Sequence, residues 1–254
     1  MLKKLKILWV TLLAIFLTAF LLFEYMDEKL PDGVVGPEAD SLANRMLIAI
    51  DNQAWRTTGV VSWGYEDRTF IWDRKRHLTR VNYEGNEVLL DIDSRLGYIL
   101  GNDANELSEE KKQEICLWAW KYWCNDSFWL NPVSKIFDPG TERKLVKRHG
   151  QETLLVTYTS GGSTPGDSYL WTLDDNGRPK SWKLWVSIIP IGGMKFSWDN
   201  WQQLETGVWI STHHFNPVKS IQLHNPVGKS DLLLLTGKDI FEPLFSDSEA
   251  LISY

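Results

Sequence analysis

Cysteine is nearly absent from this chain of 254 residues: there are two, Cys116 and Cys124. Both belong to or border one predicted helix. Eight residues along a helix cover about 12 Å, beyond the reach of a disulfide. A disulfide-stapled scaffold is therefore excluded, and the fold has to rest on its core. Histidine is equally sparse, at five. The adjacent pair His213-His214 falls on a predicted strand, where consecutive side chains point to opposite faces, so the two imidazoles cannot grip one metal together. A surplus of positive charge is missing too. The net charge is −6, which argues against an electrostatic footprint for nucleic acid. The short basic runs Arg74-Lys75-Arg76 and Arg143-Lys144 are flanked by acids and read as solvated turns. Internal repeats of 20 to 50 residues are absent, which excludes propellers and solenoids.

Signatures of catalysis are also lacking. Cys124-Asn125-Asp126-Ser127, with His213, His214 and His224 far downstream, contains the residue types of a Cys/His nucleophile but no spacing tied to a mechanism. Cys124 reads as a packing residue at a helix end, with Asn125 as its cap. Asp73, Asp91, Asp126, Asp167 and Asp199 mostly sit at strand ends, where a carboxylate satisfies turn amides. The glycine-rich stretch from Ser160 to Asp167 is not followed by the helix and lysine of a phosphate loop. Asp174 to Gly177 lacks the further ligands and closing glutamate of a calcium loop. The expectation is a protein with no catalytic residues, no metal and no cofactor.

Long hydrophobic runs are limited to one. From Ile7 to Phe23 only Thr11 and Thr18 are polar, and at roughly 1.5 Å per residue the run is about 25 Å long, extended by Leu5, Tyr25 and Met26 toward the hydrocarbon thickness of a bilayer. Lys3, Lys4 and Lys6 precede it, and Glu24, Asp27 and Glu28 follow, so the basic end is expected in the cytoplasm and the bulk of the chain outside, in the periplasm or the extracellular space. The run ends Ala19-Phe20-Leu21-Leu22-Phe23, without the small-residue pattern of a signal-peptidase site. Residues 1–26 are thus expected to stay as a single-pass signal-anchor, with membrane contact through residues 5–26. Residues 27–37, with Pro31-Asp32-Gly33 and Gly36-Pro37, read as a linker, 38–230 as one β-rich domain and 231–254 as a C-terminal tail of no assigned structure.

What the chain does have is tryptophan, fourteen in all. A helix is expected from Pro37 to about Trp55, carrying Leu42, Met46, Ala49 and Ile50 at helical spacing. The period then changes to two, giving strands Thr58 to Trp63, Thr69 to Asp73, Leu78 to Tyr83, Glu87 to Asp91 and Gly97 to Leu100, a meander separated by turn signals. A second helix is expected from Ser108 to Trp123, with Ile115, Trp118, Ala119, Tyr122 and Trp123 on one face. An irregular stretch with several breakers follows to Pro139.

A second strand series then runs Lys144 to Arg148, Thr153 to Thr159, Ser168 to Leu173, Ser181 to Ile188, Met194 to Trp201, Val208 to His214 and Ser220 to Leu223. Its alternation puts Tyr169, Trp171 and Leu173 on one face, as it does Trp182, Leu184 and Val186, then Phe196 and Trp198. A sheet with one aromatic face, together with two striped helices, buries its apolar surface by curling over the helices. The expected fold is mainly β with packed α: a curved antiparallel sheet, an unclosed half-barrel covering two or more helices, plus the N-terminal transmembrane helix.

The segment from Asp167 to Pro179, Asp-Ser-Tyr-Leu-Trp-Thr-Leu-Asp-Asp-Asn-Gly-Arg-Pro, followed by Trp182, resembles a strand-turn-strand pattern of the LolA/LolB-like extracytoplasmic lipoprotein carriers. The order of elements over residues 38 to 225 is similar to that family's unclosed barrel. This sequence departs from the carriers in its anchor, its want of a lipidated cysteine and its tryptophan content. The resemblance implies a hydrophobic cavity between sheet and helices, able to hold acyl chains, without catalysis. The candidate ligand-binding residues are Trp118, Tyr122, Trp123, Tyr169, Trp171, Trp182, Leu184, Phe196 and Trp198, and the expected partner is a lipid or other hydrophobic ligand. Two other readings stand beside it. One is a ligand-free envelope scaffold or interaction module whose aromatics only fill the core. The other is a carbohydrate-binding domain using Trp185 and Trp209, which alternation places opposite the apolar face.

Overall fold

The computed structural model describes residues 2–101, 106–148, 150–161 and 164–254. Helix α1 runs Leu2–Met26. Among the described residues no helix is long and apolar enough to cross a membrane; the side chains of 2, 5–8, 19, 20, 22 and 23, on which much of the expected anchor rests, lie outside those described. The described apolar side chains of α1, among them Trp9, Ile15, Phe16 and Leu21, are exposed.

The expected first helix breaks in two, α2 over Pro37–Ala49 and α3 over Asn52–Thr57, because Asp51 takes a left-handed backbone (φ 53°) and its carboxylate accepts from the Ala54 N–H. The meander follows as β1 (Val60–Tyr65), β2 (Arg68–Asp73), β3 (Leu78–Tyr83), β4 (Asn86–Asp91) and β5 (Leu96–Leu100). Helix α4 spans Glu109–Leu130. It continues through the stretch expected to be irregular, since Asp126 turns inward to bind Arg68 (2.9 Å) instead of ending the helix, and the helix stops at Asn131, whose side chain accepts from the Ser134 N–H.

The second series is β6 (Thr141–Arg148), β7 (Gln151–Tyr158), β8 (Ser168–Leu173), β9 (Pro179–Trp185), β10 (Met194–Ser197), β11 (Asp199–Gln203), β12 (Trp209–Phe215) and β13 (Ser220–Lys229). All pairings are antiparallel, and with a last strand β14 (Ile252–Ser253) they form two open sheets where one was expected: a nine-stranded sheet ordered β11-β12-β13-β1-β2-β3-β4-β5-β14 and a five-stranded sheet ordered β10-β9-β8-β7-β6. The single strand expected from Met194 to Trp201 is the corner between them. Its chain turns at the buried Trp198, whose N–H donates to the Lys180 carbonyl (2.9 Å), so that β10 stays with β9 while β11 crosses to β12.

The core lies between the sheets. Helix α2 buries Ala39, Leu42, Ala43 and Met46, and α4 buries Ile115, Cys116, Ala119 and Leu130, in one apolar cluster with the inward side chains of both sheets. Residues 231–254 are not a tail. They form α5 (Leu232–Thr236), α6 (Pro243–Ser246) and β14 (Ile252–Ser253), which pairs with β5. Leu232, Phe241 and Leu244 from this segment cover Val60, Leu78 and Leu89 on the outer face of the large sheet. The stretch read as a linker is likewise fastened down: Val34 bridges Leu145, the Glu28 N–H donates to the Gly192 carbonyl (3.0 Å), and the Glu28 carboxylate pairs with Lys183.

Candidate functional site

The second half of α4 lies over the small sheet, and the contact is incomplete. Trp120, Trp123, Cys124, Ser127 and Phe128 recur three and four residues apart and so share one helix face. Opposite them stand Tyr158 of β7, Tyr169 of β8, and Trp182 and Leu184 of β9. Between the two surfaces is a cavity of about 520 Å³, half open to solvent and bordered on further sides by Val186, Ile188 and Ile189. That volume falls within the range of small-molecule sites. Its wall is a continuous aromatic surface: ring centroids are 5.4 Å apart for Phe128 and Tyr158, 5.1 Å for Phe128 and Tyr169, 4.6 Å for Tyr169 and Trp182, and 4.9 Å for Trp129 and Trp182.

Two basic and two acidic side chains reach this lining, Arg95, Lys135, Asp138 and Asp167. Asp167 is spent on its own surroundings, accepting from the Thr164 hydroxyl (2.5 Å) and the Ser187 N–H (3.0 Å). Lys135 faces Asp138 at 3.8 Å, and burial raises the Asp138 carboxyl above its ordinary range. Burial pushes the Cys124 thiol up to about 12 against the pull of Arg95 and Lys135. The Tyr158 and Tyr169 hydroxyls are likewise raised by burial. At neutral pH the thiol and both phenols are protonated, which makes the wall neutral. Such a surface can hold apolar matter and donate hydrogen bonds. No group of three metal-ligating side chains occurs among the described residues.

Of the nine residues singled out in the sequence, Trp123, Tyr169, Trp182 and Leu184 line the cavity. Trp171, Phe196 and Trp198 are buried behind it, Trp171 at 4.7 Å and Trp198 at 5.0 Å from Trp182, and Phe196 at 5.2 Å from Trp129. Trp118 and Tyr122 lie elsewhere on α4: Trp118 is 44% exposed beside Lys121, and Tyr122 packs on Tyr83 and under the Arg68 guanidinium. The reading missed Phe128, Trp129, Tyr158 and the loop residues Ile188 and Ile189. The stripe read from Ile115 to Trp123 continues to Asp126 and Ser127, whereas Phe128 lies on the neighbouring face that begins at Trp120.

The two tryptophans offered for sugar stacking are occupied. The Trp185 indole donates to the Glu28 carbonyl (2.6 Å), and the Arg178 guanidinium sits 4.3 Å from the Trp209 ring. A second, shallower depression, of about 390 Å³, lies near Gly64 and is bordered by Trp63, Phe70 and Ile71 together with Arg68, Arg80 and His224.

No family model matches this sequence, and no curated protein matches it. Among solved structures, the chain is similar to a DUF1329 family protein from Desulfovibrio piger, with 9% identity, 84% of this chain and 98% of that chain covered, and a TM-score of 0.37, a level of likeness too low to carry an argument about fold or function.

Proposed function

We propose that this chain is a membrane-tethered, extracytoplasmic binding protein that holds a lipid or similar apolar molecule between α4 and the small sheet. The observation that carries this reading is the aromatic-walled cavity, whose volume and apolar lining with a few polar groups are those of a small-molecule site. The tether is α1, on the argument of its apolar run, the lysines before it and the acids after it. Its exposed apolar side chains have no protein surface to cover them, which a bilayer would supply.

The test is native mass spectrometry, with lipid extraction, of residues 27–254 expressed in the compartment to which α1 would export them. Cutting before Asp27 keeps the contacts of Glu28 with Lys183, Trp185 and Gly192. The expected result is a co-purifying lipid released on denaturation. Protein that is consistently empty and also ignores added lipid would overturn the reading.

A further inference from the structure

The charged side chains of the cavity lining are unequally paired. Asp167 is satisfied and Asp138 has Lys135. Arg95 has no carboxylate partner among the described residues, because the acids of its own turn are engaged: Asp93 holds His77 (3.0 Å), and Asp91 accepts from the N–H groups of Asp93 and Ser94.

Arg95 is nonetheless held in place. It takes a left-handed backbone (φ 59°) in the turn before β5, its carbonyl accepts from the Tyr254 N–H, and its guanidinium lies 3.8 Å from the Trp120 ring and 5.7 Å from that of Tyr254. An arginine laid on aromatic faces keeps its fork of donors free for a carboxylate or phosphate.

A half-open cavity of about 520 Å³ with one continuous apolar wall has the room that one acyl chain needs. We propose that the cavity takes a single-chain anionic amphiphile, with its chain along the wall formed by Phe128, Tyr158, Tyr169 and Trp182 and its carboxylate or phosphate head at Arg95. This rests on the binding reading above and narrows it to one class of ligand.

The test is equilibrium binding of radiolabelled probes to the full chain held in amphipol: palmitate, hexadecyl phosphate, hexadecanol, hexadecyltrimethylammonium and dipalmitoyl phosphatidate. Palmitate and hexadecyl phosphate are expected to bind at least tenfold tighter than hexadecanol and than the two-chain lipid. Their relative affinity distinguishes a fatty-acid ligand from a phosphate monoester. Arg95→Gln is expected to erase the advantage of the anions over hexadecanol, with its melting temperature as the check that it is folded, and Arg95→Lys is expected to restore part of that advantage. Equal binding of hexadecanol and palmitate, or tighter binding of the ammonium, would overturn the head-group assignment while leaving a hydrophobic site in place. Equal binding of phosphatidate would overturn the one-chain limit. Absence of binding by every probe would overturn the proposal together with the binding reading.

Discussion

Replacing His214 is expected to stabilise the protein in mild acid more than at neutral pH, and the size of the effect follows from where the ring sits. His214 is fully buried on β12, with its ring centroid 4.2 Å from Trp198 and 5.3 Å from Trp129. The Ser197 and Trp129 carbonyls favour the protonated ring, but neither meets hydrogen-bond geometry, and both ring nitrogens are left without a partner. Burial, and secondarily the neighbouring His213, pulls its pKa down from 6.5 to about 3. Between those values the unfolded chain binds a proton that the folded chain refuses. The stability contributed by the neutral ring is therefore complete above pH 6.5 and lost progressively as pH falls toward 3.

Each unit of separation is worth about 1.4 kcal/mol, so at pH 5 this one residue costs about 2 kcal/mol relative to neutral pH. For a domain of this size that corresponds to a melting shift of about 4–8 °C. The assay is urea unfolding of residues 27–254 at pH 7.5 and pH 5, wild type against His214→Phe. Other titrating groups cancel in the double difference. The variant is expected to gain about 2 kcal/mol on the wild type at pH 5 beyond any difference at pH 7.5. A difference between the two proteins that does not change with pH would refute the argument, because it would mean that the ring charges in the folded state or is solvated there.

Three further outcomes are expected. Asp126→Ala removes the buried partner of the Arg68 guanidinium and leaves it the half-exposed Glu66 at 3.0 Å; the loss should be about 3 kcal/mol, the low end for breaking a buried pair, and replacing both Asp126 and Arg68 with Leu and Met should cost less than the single change, as read by a double-mutant cycle. Gly192→Ala puts a methyl 2.6 Å from the Glu28 carbonyl and 2.5 Å from the Trp185 ring, so hydrogen exchange in residues 27–34 should accelerate while the buried strands keep their protection. Val186→Trp places an indole in the cavity, and lipid co-purification should be abolished without loss of thermal stability; an unchanged lipid yield would show that ligand is held elsewhere.

Much of the architecture was legible because strand alternation records burial directly. Tyr169, Trp171, Trp182, Leu184, Phe196 and Trp198 all face the interior as their period-two pattern requires. Periodicity does not record which sheet a strand joins. Ser197, Trp198 and Asp199 keep the pattern through the corner, so one strand was expected where the chain changes sheets. The breaker residues misled in the same way: Asn125-Asp126 has the composition of a turn, but Asp126 is drawn inward to the distant Arg68 and the helix runs on to Leu130. For the site, burial and cavity lining separate. Trp171 and Trp182 are sequence equivalents, adjacent across β8 and β9, yet Trp182 forms the cavity floor and Trp171 backs it. That distinction depends on where α4 stops short of the sheet, which involves residues from four separate parts of the chain. Trp185 was expected to be exposed because alternation says nothing of an incoming N-terminal segment.

The β1–β13 pairing joins Val60 to Lys229 and so closes the large sheet across most of the polypeptide, with α4 and the entire small sheet inserted between. Ring closure over so long a loop is entropically expensive and slow. During synthesis β1 leaves the ribosome long before its second neighbour exists, and until β13 arrives it displays a row of unpaired amides and carbonyls, an invitation to a wrong partner. The β1 border is therefore where a growing chain of this design is most open to mispairing.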